Sequence, residues 1–162
     1  MTPAAVVILA LVTAQRLGEL WLSNRNTRQL LDQGAVEHGH GHYPLMIAIH
    51  AAWLAALWWW APGQPIHWPL IIAFALLQLA RVWVIATLGP RWTTRIIVLP
   101  GAPLVRGGPY RLVDHPNYLI VALEVALLPL AFGLAGVALV FSVLNTIILS
   151  IRIRAENAVL VR

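Results

Sequence analysis

Two groups of residues in this sequence have the types and spacing for chemistry. In Asp114-His115-Pro116-Asn117-Tyr118, an acid, an imidazole and a phenol surround a proline placed to open a helix. Proline suits the first helical turn, where its missing N–H would have had no partner, so unpaired backbone donors gather at this point. Asp114 or His115 stands as the cap, and His115 and Tyr118, three apart, share a face. In the second group, Ser142, Asn145, Arg152 and Glu156 are separated by three, seven and four residues, which sets them along one face of a helix. Arg152 and Glu156 are thus one turn apart and can touch the same ligand. The plainer alternatives are a surface ion pair worth a few tenths of a kcal/mol, and a plain cap with interfacial anchors.

The elements that must hold these groups are membrane spans. Of 162 residues, 60% are hydrophobic and only 10% charged, against about a quarter charged in soluble domains. A span takes roughly 20 apolar residues, and apolar runs occupy about 3–22, 43–61, 68–88, 116–132 and 134–151. The expectation is an all-α polytopic membrane protein of about five transmembrane helices with a cytoplasmic catalytic loop. It reads as one integral domain over 1–162, with N-terminal spans in 1–88 and the loop and C-terminal helices in 89–162. No basic residue precedes the first run, which therefore reads as a retained span and not a cleaved signal. Trp58, Trp59, Trp60 and Trp68 sit where apolar runs meet headgroups. The segment from Gly89 to Asp114 is the long polar connection, rich in Gly and Pro.

All 11 basic residues are arginine, and the formal charge is +5. Arg16, Arg25 and Arg28 lie at or beyond the end of the first span, Arg81 to Arg111 at or beyond the end of the third, and Arg152, Arg154 and Arg162 at the end of the fifth. The turns after the second and fourth carry none. The positive-inside rule then sets the N-terminus outside and the C-terminus and long loop in the cytoplasm. Arginine-only usage points to a GC-rich genome, hence to a bacterial inner membrane. The basic charge is topology, and no nucleic-acid footprint is read into it. With no cysteine, thiolate chemistry is closed. His38, His40 and His42, spaced by two with no fourth ligand, read as a solvated loop, so no metal is expected.

Polar groups inside spans are costly and point to function. Here they are Gln15, Arg16, Glu19, Gln78, Arg81, Glu124, Ser142 and Asn145, with His50 read as a hydrogen-bonded packing residue. Neither Gly-x-Gly-x-x-Gly nor Gly-x-x-x-x-Gly-Lys occurs, so a nucleotide-like cofactor must be held in another way.

The stretch Pro103 to Tyr118, containing Gly108-Pro109-Tyr110 and His115-Pro116-Asn117-Tyr118, followed by Arg152-Ile153-Arg154-Ala155-Glu156, resembles the isoprenylcysteine carboxyl methyltransferase family. The likeness covers roughly 80 to 162. It implies an integral membrane enzyme using S-adenosylmethionine. The implied cofactor contacts are Ala102, Pro103, Leu104, Val105, Tyr110, His115, Pro116, Asn117, Tyr118 and Glu156. Arg152 matches the arginine facing the methyl acceptor and is the expected catalytic residue. Three positions depart from the pattern: Asp114 replaces an arginine, Ala102 a histidine that can occur there, and Asn157 a second glutamate. The cofactor's carboxylate, ammonium and sulfonium suit helix N–H groups, a carboxylate and an aromatic face. The expected acceptor is lipophilic, either a prenylcysteine-type carboxylate or the hydroxyl of a long-chain alkylpyrone or alkylresorcinol. Arg152 and Glu124 are its expected contacts, and Glu124 or His115 the base for a less acidic hydroxyl. The alternatives are an NADPH-dependent lipid reductase, for which Arg106 and Arg111 could serve, and a non-enzymatic scaffold or channel.

Overall fold

A computed structural model describes residues 3–160 of the chain; Arg162, counted above among the basic flanks, lies outside the described residues. Five helices follow one another: α1 (Pro3–Asp32), α2 (Tyr43–Trp60), α3 (Trp68–Leu88), α4 (Pro116–Ala131) and α5 (Ala135–Val159). Prolines at the start of α2, α3 and α4 sit in the first turn, where the fixed φ is already helical. Helices α1, α2, α3 and α5, with their flanking turns, are long and apolar enough to cross a bilayer. Large apolar side chains on their outer faces, such as Leu11, Ile72, Leu79 and Leu139, are more than half exposed, which suits lipid and not water. The chain is an integral membrane protein. Helix α4 is the exception at 16 residues, about 24 Å at a 1.5 Å rise, short of a hydrocarbon core of about 30 Å. Its apolar run ends early because Pro129 and the turn at Gly133, with φ +69°, close the helix.

Two features depart from the sequence reading, and a third agrees with it. Helix α1 continues to Asp32, ten residues past its apolar run, because Ser23, Asn26, Thr27 and Leu30 form one buried face at helical spacing. Helix α5 runs on to Val159, past its apolar run, and so carries Ser142, Asn145, Arg152 and Glu156 on one helix as their spacing implied. The connections around residues 36–38 and 96–98 are not loops but two short strands, β1 (Val36–His38) and β2 (Ile96–Val98). They pair antiparallel with Val36 opposite Val98, so the supposed solvated histidine loop begins in a strand and passes through a 3-10 turn into α2.

The strands lie at the same end of the bundle as the long connection, here called the loop end. Asn26 Nδ2 donates to Trp92 O at 2.8 Å there, tying α1 to the segment after α3. At the other end, His67 N–H donates to Ala131 O at 2.8 Å and joins the two short turns. Between the ends lies a core of Leu9, Trp53, Leu57, Phe74, Leu128 and Phe132. Trp53 Nε1 donates to Val125 O at 3.1 Å. That carbonyl would bond the N–H four residues on, which Pro129 lacks, so the indole satisfies a backbone group that the α4 proline leaves open.

Candidate functional site

A cavity of about 880 Å³ lies between the helices beneath β2 and the segment that follows it, within the size range of ligand pockets. Of the residues expected to touch a cofactor, Ala102, Leu104, Val105, Tyr110, His115, Asn117, Tyr118 and Glu156 line its wall, as does Arg152. Pro103 and Pro116 do not. Pro103 O instead accepts from Arg91 Nη1 at 2.8 Å, an anchor for the loop, and Pro116 is buried at the start of α4. Glu124 is also absent from the wall: it is 1% exposed and enclosed in an ion network, which leaves no open oxygen toward an acceptor.

Local backbone geometry explains the glycine before Pro109. Gly108 has φ +55°, and a Cβ there would stand 2.5 Å from Thr87 Oγ1 at the end of α3. Only glycine adopts this conformation at so close an approach without strain. The 3-10 turn over Gly108–Arg111 then carries Tyr110 against Trp92, Val84 and Ile120. Burial, with the Glu156 carboxylate adding to it, pushes the Tyr110 hydroxyl up to about 12, so it stays a neutral donor.

His115 is the N-cap residue of α4, yet its side chain makes no cap bond. It turns to α5 instead, with Nδ1 3.6 Å from Glu156 Oε2 and Nε2 3.2 Å from Asn157 Oδ1, and its ring stacks on Tyr118 at 5.4 Å. Thus the two groups singled out in the sequence meet: Glu156 faces His115 across the helices, and no ion pair forms between Glu156 and Arg152. Arg152 is 3% exposed. Its Nη2 donates to Thr94 O at 2.8 Å, and its guanidinium lies 5.7 Å over the Tyr118 ring. Its Nε and Nη1 have no protein partner, and neither has Asn117 Oδ1. A buried guanidinium with donors to spare is costly unless something else satisfies it.

Thr94 escaped the sequence reading. Its N–H donates to Ser23 Oγ at 2.8 Å, and its hydroxyl meets Ser23 Oγ at 2.7 Å and Tyr43 Oη at 3.0 Å. Residues of α1 and α2 therefore fix the carbonyl that holds Arg152. Beside it, Arg95 lies 4.4 Å over the Tyr43 ring and binds Glu37 of β1 at 2.9 Å. The signal was present in part, since Ser23, Asn26 and Thr27 keep helical spacing beyond the apolar run.

The polar residues within the spans, apart from Ser142 and Asn145, form one network. Glu124 accepts from Arg16 at 2.7 Å, Arg81 at 3.1 Å and Gln78 at 2.8 Å, and Glu19 accepts from Arg81 at 2.6 Å, Arg16 at 2.9 Å and Gln15 at 2.9 Å. No group of three or more metal-ligating side chains lies among the described residues.

Fold and site together define a polytopic membrane protein with a cavity lined in part by its last helix. Residues 70–162 match the Isoprenylcysteine carboxyl methyltransferase (ICMT) family. The whole chain is similar to the uncharacterized protein YpbQ of Bacillus subtilis, at 38% identity over 159 residues and 95% of each chain. It is also similar to an uncharacterized protein of Haemophilus influenzae, at 28% identity over 94% of this chain and 92% of the other. No solved structure matches it. The chain belongs to the ICMT family, a family of membrane methyltransferases whose members use S-adenosylmethionine.

Proposed function

We propose that the chain is an S-adenosylmethionine-dependent O-methyltransferase acting on a lipophilic acceptor in the membrane. The observation that carries this reading is the meeting of Glu156, His115, Tyr118 and the half-satisfied Arg152 on one cavity wall. The residues fit the cofactor's groups. Glu156 offers a carboxylate to the ammonium, the first turn of α4 offers N–H groups to the carboxylate, and the Tyr110 and Tyr118 rings offer faces to the sulfonium. When bound, the cofactor supplies an electrophilic methyl group.

The protein's part is alignment and the exclusion of water. Arg152 Nε and Nη1 orient the acceptor oxygen and, if it is ionised, hold it as an anion. Thr94 O holds Nη2 of the guanidinium, which leaves these two donors for the acceptor. Glu124 serves from outside the wall, by holding the helices that carry it. The acceptor is a prenylcysteine-type carboxylate or a hydroxylated long-chain compound, and its tail reaches the site from the bilayer. The N-terminus faces outward and the loop end faces the cytoplasm, in keeping with the arginines that crowd that end.

Calorimetric titration of S-adenosylmethionine and its demethylated product into detergent-solubilised protein tests the reading. Micromolar binding that Glu156→Ala weakens by about 1–3 kcal/mol, the loss of hydrogen bonds to a charged group, supports it. No binding in folded protein, with binding of NADPH instead, replaces it with the reductase.

A further inference from the structure

Along α3, Ile72, Leu76, Leu79 and Trp83 are half or more exposed, and their separations of four, three and four residues set them on one face. This is the lipid-facing stripe of the helix. It ends at Trp83, a residue type that settles where acyl chains give way to headgroups. The turn over Gly108–Arg111 rests on that end of the stripe: a Cβ on Gly108 would stand 2.5 Å from Thr87 Oγ1 and 3.2 Å from Trp83 Nε1. The chain leaves the turn through Leu112 and Val113, 76% and 41% exposed, and enters α4 at Pro116. On the outer face of α4, Leu119 and Leu123 are exposed in their turn, one helical turn apart. A single exposed leucine says little. What marks Leu112 and Val113 is their place, between two lipid-facing helices and directly after a turn that touches an interfacial tryptophan. Their neighbours add charge. Arg106 and Arg111 are exposed and are set against one acid, Asp114, so the segment 106–114 is apolar in part and positive on balance. Apolar side chains beside arginines suit an anionic phospholipid surface, the former among the upper acyl carbons and the latter at the phosphates.

We propose that Leu112 and Val113, with Arg106 and Arg111, form a docking surface for the anionic phospholipids of the leaflet at the loop end. The two apolar side chains sit at the boundary of headgroups and acyl chains, and the two guanidiniums lie at the phosphates. The lipid contact of α3 and α4 thus continues past the helix ends onto the segment that carries Tyr110 to the cavity wall. The surface does not depend on which reaction the cavity serves.

The chain has no cysteine, so a single introduced cysteine carries a fluorophore to one place. Leu112→Cys and Val113→Cys are the test positions. Leu123→Cys, on the outer face of α4, is the lipid control, and Gln33→Cys, exposed at the loop end, is the water control. The full chain is placed in nanodiscs of phosphatidylcholine, alone or mixed with phosphatidylglycerol. Quenching is then read with iodide from water and with lipid spin-labelled high on the acyl chain. In the mixed discs the labels at 112 and 113 should be quenched by the spin-labelled lipid, as at 123, and shielded from iodide relative to 33. Each arginine beside an anionic surface is worth about fivefold in the ratio of docked to undocked segment. Omitting phosphatidylglycerol, or substituting Arg106→Gln and Arg111→Gln together, should therefore open 112 and 113 to iodide while 123 is unchanged. Iodide that reaches 112 as freely as 33 in the mixed discs overturns the proposal. Shielding from both quenchers overturns it too, because protein and not lipid would then cover the pair. Equal quenching with and without phosphatidylglycerol removes the anionic preference and with it the proposal. No cofactor or acceptor enters the measurement, so the methyltransferase reading can fail and leave this comparison standing.

Discussion

Glu124 and Arg152 are almost equally buried, at 1% and 3% exposed, and they are partnered in opposite ways. Glu124 accepts from three donors, Arg16, Arg81 and Gln78, whereas Arg152 gives one donor to a backbone carbonyl and keeps Nε and Nη1 without a protein partner. The first arrangement suits a strut between α1, α3 and α4. The second is the arrangement expected of the acceptor-binding group proposed above. In a bilayer, where lipid tails remove most of the hydrophobic drive between helices, burial alone does not separate structure from function; the state of the hydrogen bonds does.

The contrast is broken or sharpened by substitution. Glu124→Ala leaves two guanidiniums buried without their shared carboxylate and should cost about 3–5 kcal/mol, seen as a large fall in the unfolding midpoint in detergent. An unchanged midpoint would remove the strut. Arg152→Lys keeps the charge but loses the planar fork. It should lower kcat about 100-fold, or about 2.7 kcal/mol, while the midpoint and S-adenosylmethionine affinity stay near wild type. A fall in stability as large as that of Glu124→Ala would make the two clusters alike. Gly108→Ala forces a side chain into a left-handed backbone against Thr87 and should cost about 1–2 kcal/mol, together with weakened cofactor binding through Tyr110.

The last effect is one of pH. The Tyr110 hydroxyl ionises near 12 in the folded chain and near 10 when unfolded, so folding holds its proton more tightly. Its contribution to stability is whole below about pH 10 and is lost as pH rises toward 12. Tyr110→Phe should flatten that part of the stability profile, and an unchanged slope above pH 10 would place the hydroxyl in solvent.

Much of this was legible in the residues. The α3 bounds follow from the apolar run between Trp68 and Leu88, because hydropathy and proline placement are local properties. The in-span polar residues Arg16, Glu19, Arg81 and Glu124 stood out as costly one by one. Nothing local shows that they neutralise one another, or that Glu124 turns away from the cavity. The extension of α1 was obscured because Ser23, Asn26 and Thr27 look like the start of a loop until Trp92 and Thr94 supply partners for Ser23 and Asn26.

Membrane residence, the apolar runs opening at Tyr43, Trp68 and Pro116, and the likeness of residues 80–162 to a methyltransferase family were carried by the chain's own order of residues, since each depends on neighbours within a few turns. The pairing of β1 with β2, the anchoring of Arg152 by Thr94, and the joining of His115 to Glu156 across 41 positions depended on the packed bundle. Contacts between distant segments form only when five helices have set their ends side by side.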